Sequence, residues 1–146
     1  MPKAKKKKLS PIPTIHRRLF HLASLVCREQ GNHQCAYCGI KAGELGPSGK
    51  KVRLEGHHLI PRDASPSLKF EPRNLICLCT LHHKFSRECS PHKNPLIFYK
   101  WYEENYKENM EWLIEHKDNE INLKDRETLQ KIEDNLREKK GSSPPA

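Results

Sequence analysis

The apolar residues of this chain follow two different periods. Ile15, Leu19, Leu22, Leu25 and Val26 recur at helical spacing, with Thr14 ahead of them as a cap and Gly31 behind them as a stop. That spacing predicts a helix from Thr14 to about Gln30. Val52, Leu54 and Gly56 then alternate with Arg53 and Glu55, the period of a strand that ends at His57 and His58. Asn74 to Cys79 reads as a second, more apolar strand, and Thr80 to about Glu88 as a short helix. The expected order is strand, loop, strand, helix.

The segments between these elements carry turn chemistry. His33 to Gly39 is a tight knuckle of two cysteines around Ala36-Tyr37, closed by a glycine that tolerates unusual backbone angles. Residues 41–51 form a flexible loop. Pro61 to Arg73, with Pro66 and Pro72, is an irregular connection. Pro91 and Pro95 break the chain again. Leu96 to about His116 is rich in aromatics, lacks Gly and Pro, and is expected to be helical. Its rings are expected to pack on the central unit, with base stacking as the sharper alternative. Leu123 to about Lys139 is a charged amphipathic helix through Leu129, Ile132 and Leu136, either solvated or the contact of a dimer.

Hydrophobic residues make up 35% of the 146-residue chain, enough for one domain with a small core. A core of that size calls for a staple, and a structural metal is one. The opening Met-Pro and its lysines show no apolar signal segment, so the six cysteines are expected to sit in a reducing compartment, the cytoplasm. No apolar stretch is long enough to span a membrane. The net charge of +9 is unevenly placed. Residues 1–93 carry 18 Lys and Arg against 6 Asp and Glu, a balance of +12, while residues 94–146 carry 9 against 12, a balance of −3. The positive half holds the unusual motifs and suits a polyanion such as DNA or RNA.

Those motifs are ordered Cys35-x2-Cys38, Gly56-His57-His58, Asn74 and Cys79-x2-His82-His83. Cys35 and Cys38, with Cys79 and His82, have the spacing of two pairs that bind one zinc ion tetrahedrally. Cys77 competes with Cys79, because the two share a strand face, but it fits the apolar strand better. Cys27 and Cys89 have no partner at ligand spacing.

His57, His58, Asn74 and His83 then remain. Adjacent histidines on a strand or helix diverge, so His82 can face zinc while His83 faces a separate pocket. The expected arrangement puts His57 and His83 on one divalent ion and leaves His58 free as a base. Phosphodiester hydrolysis needs a base that titrates near neutrality, a cation to neutralise growing charge, and a group that holds the base still. His58, the ion on His57 and His83, and Asn74 fill those roles, with Arg62, Lys84 and Arg87 as phosphate contacts.

This ordered set, over about residues 33–88, resembles the HNH endonuclease family with its His-Me (ββα-metal) finger. The resemblance implies an α+β fold: a small ββα-metal finger with a zinc knuckle, flanked by an N-terminal helix and C-terminal helices. It implies a division into a basic disordered arm at 1–13, a nuclease domain at 14–92, a helical extension at 93–140 and a tail at 141–146. It also implies that His57 and His83 are metal ligands, His58 the general base and Asn74 the positioning residue. Cys35, Cys38, Cys79 and His82 would then hold structural Zn²⁺. His82 stands where a cysteine is usual, and His57 where aspartate is common. An all-imidazole pair shifts preference from Mg²⁺ towards Mn²⁺, Ni²⁺ or Zn²⁺. His92 and Asp63 are candidates for a third ligand.

The implied activity is metal-dependent hydrolysis of duplex or branched DNA by a monomer or homodimer. The layout is also similar to phage recombination nucleases of the NinG type, which would place the protein in the host cytoplasm. The alternative is a zinc-knuckle nucleic-acid-binding protein that never cleaves.

Overall fold

The computed structural model describes residues 3–4 and 8–141. Most of the Lys5–Lys8 run and residues 142–146 of the expected tail lie outside the described residues. A long helix α1 (Ile12–Gln30) is followed by strands β1 (Leu54–His58) and β2 (Leu75–Cys79), a single π-helical turn (Leu81–Phe85), and helices α2 (Pro95–Asn105), α3 (Lys107–His116) and α4 (Arg126–Lys139).

α1 begins two residues before Thr14, the expected cap. Pro11 is the N-cap instead, and Pro13 lies in the first turn, where its missing N–H has no intrahelical acceptor to lose. The helix buries Ile15, Leu19, Leu22, Ala23, Val26 and Cys27. Asn32 and His33 follow with φ of 56° and 52°, a left-handed bend that turns the chain into the knuckle. Gly39 closes the knuckle at φ 76°. The Ala36 N–H donates to the Cys77 carbonyl at 2.8 Å and so ties the knuckle to β2.

β1 and β2 pair antiparallel from Leu54 opposite Cys79 to His58 opposite Leu75. β2 is buried on both faces, as its unbroken apolar run requires, with α1 against the hairpin. Gly56 permits that approach: a Cβ there would come within 3.1 Å of the Ser24 hydroxyl on α1. The two strands and the turn after them form a small ββα-metal finger.

The aromatic segment is not one helix. Tyr106 leaves helical geometry at φ −134° and ψ 41°, and separates α2 from α3. Its ring stacks on Tyr102, centroids 5.0 Å apart. The kink lets α2 pack Phe98 and Tyr102 into the core, while Asn109 of α3 bonds the Tyr102 hydroxyl and the Arg73 carbonyl. The rings are therefore mainly structural. α4 does not present its apolar stripe to solvent: it packs on α1, burying Leu129 and Leu136, and Glu133 accepts from Arg18 at 2.6 Å. Ile132 of the same stripe is half-buried.

Candidate metal centres and nuclease site

The expected helix after Cys79 is a π-turn. The Ser86 N–H donates to the Leu81 carbonyl at 2.7 Å, a span of five residues, and Ser86 is already extended. Such wide single turns recur at functional sites. Here the turn holds His82 and His83 on opposite sides.

On one side lie Cys35, Cys38, Cys79 and His82, whose ligand atoms all fall within 4.8 Å of one another. The Cys38 and Cys79 sulfurs are 3.9 Å apart, near the roughly 3.8 Å expected of two thiolates on a tetrahedral zinc at about 2.3 Å. Cys79 Sγ lies 3.2 Å from His82 Nδ1. The protein alone does not favour thiolates here: burial pushes the Cys79 thiol up to about 12. A divalent cation would supply the missing charge, and this donor set fits zinc. Tyr37 of the knuckle stacks on the His82 ring at 4.9 Å and fixes its plane. Cys77 lies on β2 outside this group, with Cys27 and Cys89 likewise buried elsewhere.

On the other side of the turn, His57 Nδ1 lies 3.2 Å from His83 Nε2, and His92 Nε2 lies 3.1 Å from the same nitrogen. Hydrogen bonds at the far sides of two rings decide their tautomers. The Tyr99 hydroxyl spends its only proton on the Leu59 carbonyl at 2.8 Å, so its oxygen accepts from His57 Nε2–H at 3.2 Å. His57 Nδ1 is left bare. The His83 Nδ1–H donates to the Glu55 carboxylate, which in the neutral form of the ring leaves His83 Nε2 bare as well. Two lone pairs that face each other at this distance repel unless a cation sits between them. Nitrogens 3.1–3.2 Å apart subtend about 95–100° at an ion about 2.1 Å from each, which suits a transition-metal site. Burial, then His83, His92 and His58, push the His57 imidazole down to about 3, so the ring is neutral and free to ligate.

Two of these partners, Glu55 and Tyr99, are additions to the residues singled out above, and His92 is one of the two candidates for a third ligand. Glu55 reads in sequence as an outward position of the strand. Tyr99 is one of several aromatics. His92 is exposed after Pro91 and reaches the group only in the fold, while Asp63 stays in an exposed loop outside it.

His58 ends β1 on the opposite face from His57. Its Nε2–H donates to the Lys69 carbonyl at 2.9 Å, which leaves Nδ1 as the basic nitrogen. Phe20 of α1 stacks on the ring, centroids 5.3 Å apart. Burial lowers the His58 pKa, and Arg62 and Lys69 lower it further, against the raising effect of its bond to the Lys69 carbonyl. Asn74 is 0% exposed, and its side chain bonds to backbone groups and not to the His58 ring. Its oxygen accepts from the Ile60 N–H at 2.8 Å, and its amide donates to the Ile60 and Leu68 carbonyls at 3.0 and 3.3 Å. The first anchor lies two residues beyond His58, and the second lies beside the residue that holds the ring of His58.

The cationic residues surround these groups unequally. Arg62 is exposed and near enough to His58 to depress it. Lys84 approaches the Glu55 carboxylate at 3.7 Å. Arg87 is exposed just past the π-turn. No helix among the described residues is long and apolar enough to cross a membrane.

Residues 35–87 match the family model described as HNH endonuclease. Searches of curated proteins and of solved structures each found no match. The matched segment contains the knuckle, both strands, the π-turn and every member of the two ligand groups except His92. Residues 35–87 of this chain are thus similar to the HNH endonuclease family, nucleases that act on DNA with divalent metals.

Proposed function

We propose that the protein is a DNA endonuclease with one catalytic divalent ion and a histidine general base. The observation that carries this reading is the convergence of three imidazole nitrogens, two of them bare by their tautomers, beside a fourth, neutral imidazole held by a backbone carbonyl. A divalent ion held by His57, His83 and His92 would supply charge neutralisation at the phosphate and the leaving oxygen.

The chain's own residues do the rest. His58 takes the proton of the attacking water on Nδ1, while Lys69, through its carbonyl, keeps the ring from turning. Asn74 acts as a positioning residue, because it fixes the strand exit at Ile60 and the loop at Leu68. Arg62, Lys84 and Arg87 contact phosphates. Glu55 and Tyr99 orient the ligand rings in the manner of outer partners at metal sites. Cys35, Cys38, Cys79 and His82 hold a structural zinc ion. Nitrogen ligands alone favour Mn²⁺, Ni²⁺ or Zn²⁺ over Mg²⁺. Phage DNA recombination or processing is the setting suggested by the similarity of layout.

A zinc-stapled DNA binder without catalysis would share the charge and the knuckle, yet it gives no reason for bare imidazole nitrogens to face one another. The test incubates purified zinc-loaded protein with supercoiled plasmid, linear duplex and a four-way junction. Mg²⁺, Mn²⁺, Ni²⁺ or EDTA is added, beside the His58→Ala variant. Cleavage that needs a metal and falls by about 10²–10⁴-fold in the variant supports the proposal. Retained DNA affinity with no cutting under any ion overturns it.

A further inference from the structure

The π-turn has another side that the hydrolytic reading leaves without a task. Cys38, Cys79 and His82 of the zinc-type group form one wall of a cavity of about 580 Å³, a volume in the range of small-molecule sites. Its apolar surface comes from Val52, Leu81 and Phe85, and its charge from Lys50, Lys51 and Arg53. No carboxylate is among its described lining residues. Phe85 is 61% exposed and Leu81 42% exposed, although both are large apolar side chains in a domain with a sparse core. Neither is needed for packing there, since the turn is already tied down by its own backbone closure and by Tyr37 on His82.

We infer that this cavity binds an unpaired nucleobase of the DNA strand being cut. The charge pattern selects the occupant. An apolar surface ringed by three exposed cations, with no acid, fits a flat ring that carries its own negative charge on an attached phosphate. A base inside a paired duplex has both faces covered by its neighbours and cannot stack on Phe85. Phe85 lies two residues from His83 on one turn, so a strand whose phosphate reaches the imidazole group passes the cavity within a few nucleotides. DNA with an unpaired stretch beside the scissile bond is then the preferred substrate. This inference rests on the nuclease reading only for the strand's passage to the imidazoles.

The test measures fluorescence anisotropy of labelled DNA with zinc-loaded protein and no added second metal. It compares a fully paired duplex with the same duplex carrying an unpaired stretch, for wild type, Phe85→Ala and Phe85→Trp. Wild type is expected to favour the unpaired DNA by roughly 5- to 100-fold, the range of one stacked base. Phe85→Ala should lose that excess while it keeps duplex affinity and zinc content; Phe85→Trp should retain it. Equal affinity of wild type for both DNAs overturns the inference, as does a Phe85→Ala variant that weakens both alike. Sedimentation of the free protein gives the other outcome: a dimer that Phe85→Ala dissolves makes a second copy the occupant and overturns the inference too. Cleavage assays on the same DNAs separate the two readings. Selective binding without cutting under any ion removes the nuclease reading and leaves the base-binding cavity standing.

Discussion

Glu55 offers the sharpest test of the imidazole centre, because its carboxylate touches the ion only through His83. Replacing it by Gln keeps the size and an acceptor oxygen but removes the negative charge that fixes the His83 tautomer. Outer partners of this kind are worth about 10- to 100-fold in metal affinity or activity, or roughly 1.4–2.7 kcal/mol. The competing effect is loss of fold stability. Glu55 is about a third exposed, and its ion pair with Lys84 spans 3.7 Å, so that pair contributes at most about 1 kcal/mol. The metal effect therefore exceeds the stability effect. Calorimetric titration of Mn²⁺ into zinc-loaded Glu55→Gln should show affinity reduced by about 10- to 100-fold, with a similar fall in cleavage at subsaturating ion. Lys84→Ala removes the ion pair and leaves the bond to His83, so its Mn²⁺ affinity should match wild type. A Glu55→Gln protein that binds Mn²⁺ as tightly as wild type would refute the tautomer argument and, with it, the claim that bare nitrogens converge on a cation.

Three further outcomes follow from the same geometry. His92→Ala should weaken Mn²⁺ at least as much as Glu55→Gln, yet shift unfolding by no more than about 0.5 kcal/mol, since His92 is exposed; an unchanged titration would remove it from the ligand set. Asn74→Ala strands the Ile60 N–H and the Ile60 and Leu68 carbonyls at a fully buried position. At about 1–3 kcal/mol per group, it should cost 3 kcal/mol or more and lower Tm by roughly 6–12 °C in a thermal melt, and a shift under 2 °C would contradict it. Burial acts to raise the Glu133 pKa, but the bonds from Arg18 and Arg137 outweigh it and hold the carboxyl below its ordinary value. A depressed carboxyl stabilises the fold above its unfolded pKa of about 4.3, and that stability is lost as pH falls through the folded value. Urea melts should therefore show wild type ahead of Glu133→Gln at pH 7 by at most about 1 kcal/mol, because Arg18 is partly exposed. The gap should close below pH 4, and a gap that persists there would count against the α1–α4 ion pair.

The parts of the fold set by local period were legible in the chain. The α1 face from Ile15 to Val26, the strand ending at His57-His58 and the apolar run of β2 each repeat their geometry within a few residues. Donor pairs were legible for the same reason, since Cys35 and Cys38 or Cys79 and His82 announce themselves by spacing. What sets the tautomers was not. Glu55 meets His83 across 28 residues and Tyr99 meets His57 across 42, and no periodicity distinguishes a carboxylate that faces an imidazole from one that faces water. Helix continuity from Leu96 to His116 failed at Tyr106 for a related reason. Composition shows no breaker there, and stacking of Tyr106 on Tyr102 accompanies a break that only the tertiary fold requires. Asn74 shows the intermediate case. Its side-chain amide and its order among the histidines marked it as a positioning residue, while its targets, Ile60 and Leu68, depend on how the 61–73 loop folds back.

The π-turn explains how a domain this small keeps two groups of candidate metal ligands apart. His82 and His83 are consecutive, so any regular turn sends their rings in different directions, but a turn closed over five residues also widens the backbone between them. The soft donors then gather on the knuckle side, where Tyr37 and the Ala36–Cys77 bond hold them, and the imidazoles gather on the side of β1 and α2, where Glu55 and Tyr99 hold them. Neither group borrows a ligand from the other. Their coupling is mechanical: the knuckle fixes one end of the turn through Cys79 and His82, and the turn presents His83 to the second group. In a chain with 35% hydrophobic residues, that cross-link would add to the turn's own backbone closure and to the Glu55 bond in holding His83 still. In the proposed nuclease, the donor set on the knuckle side would bear on catalysis without touching substrate, by holding still the turn that carries His83.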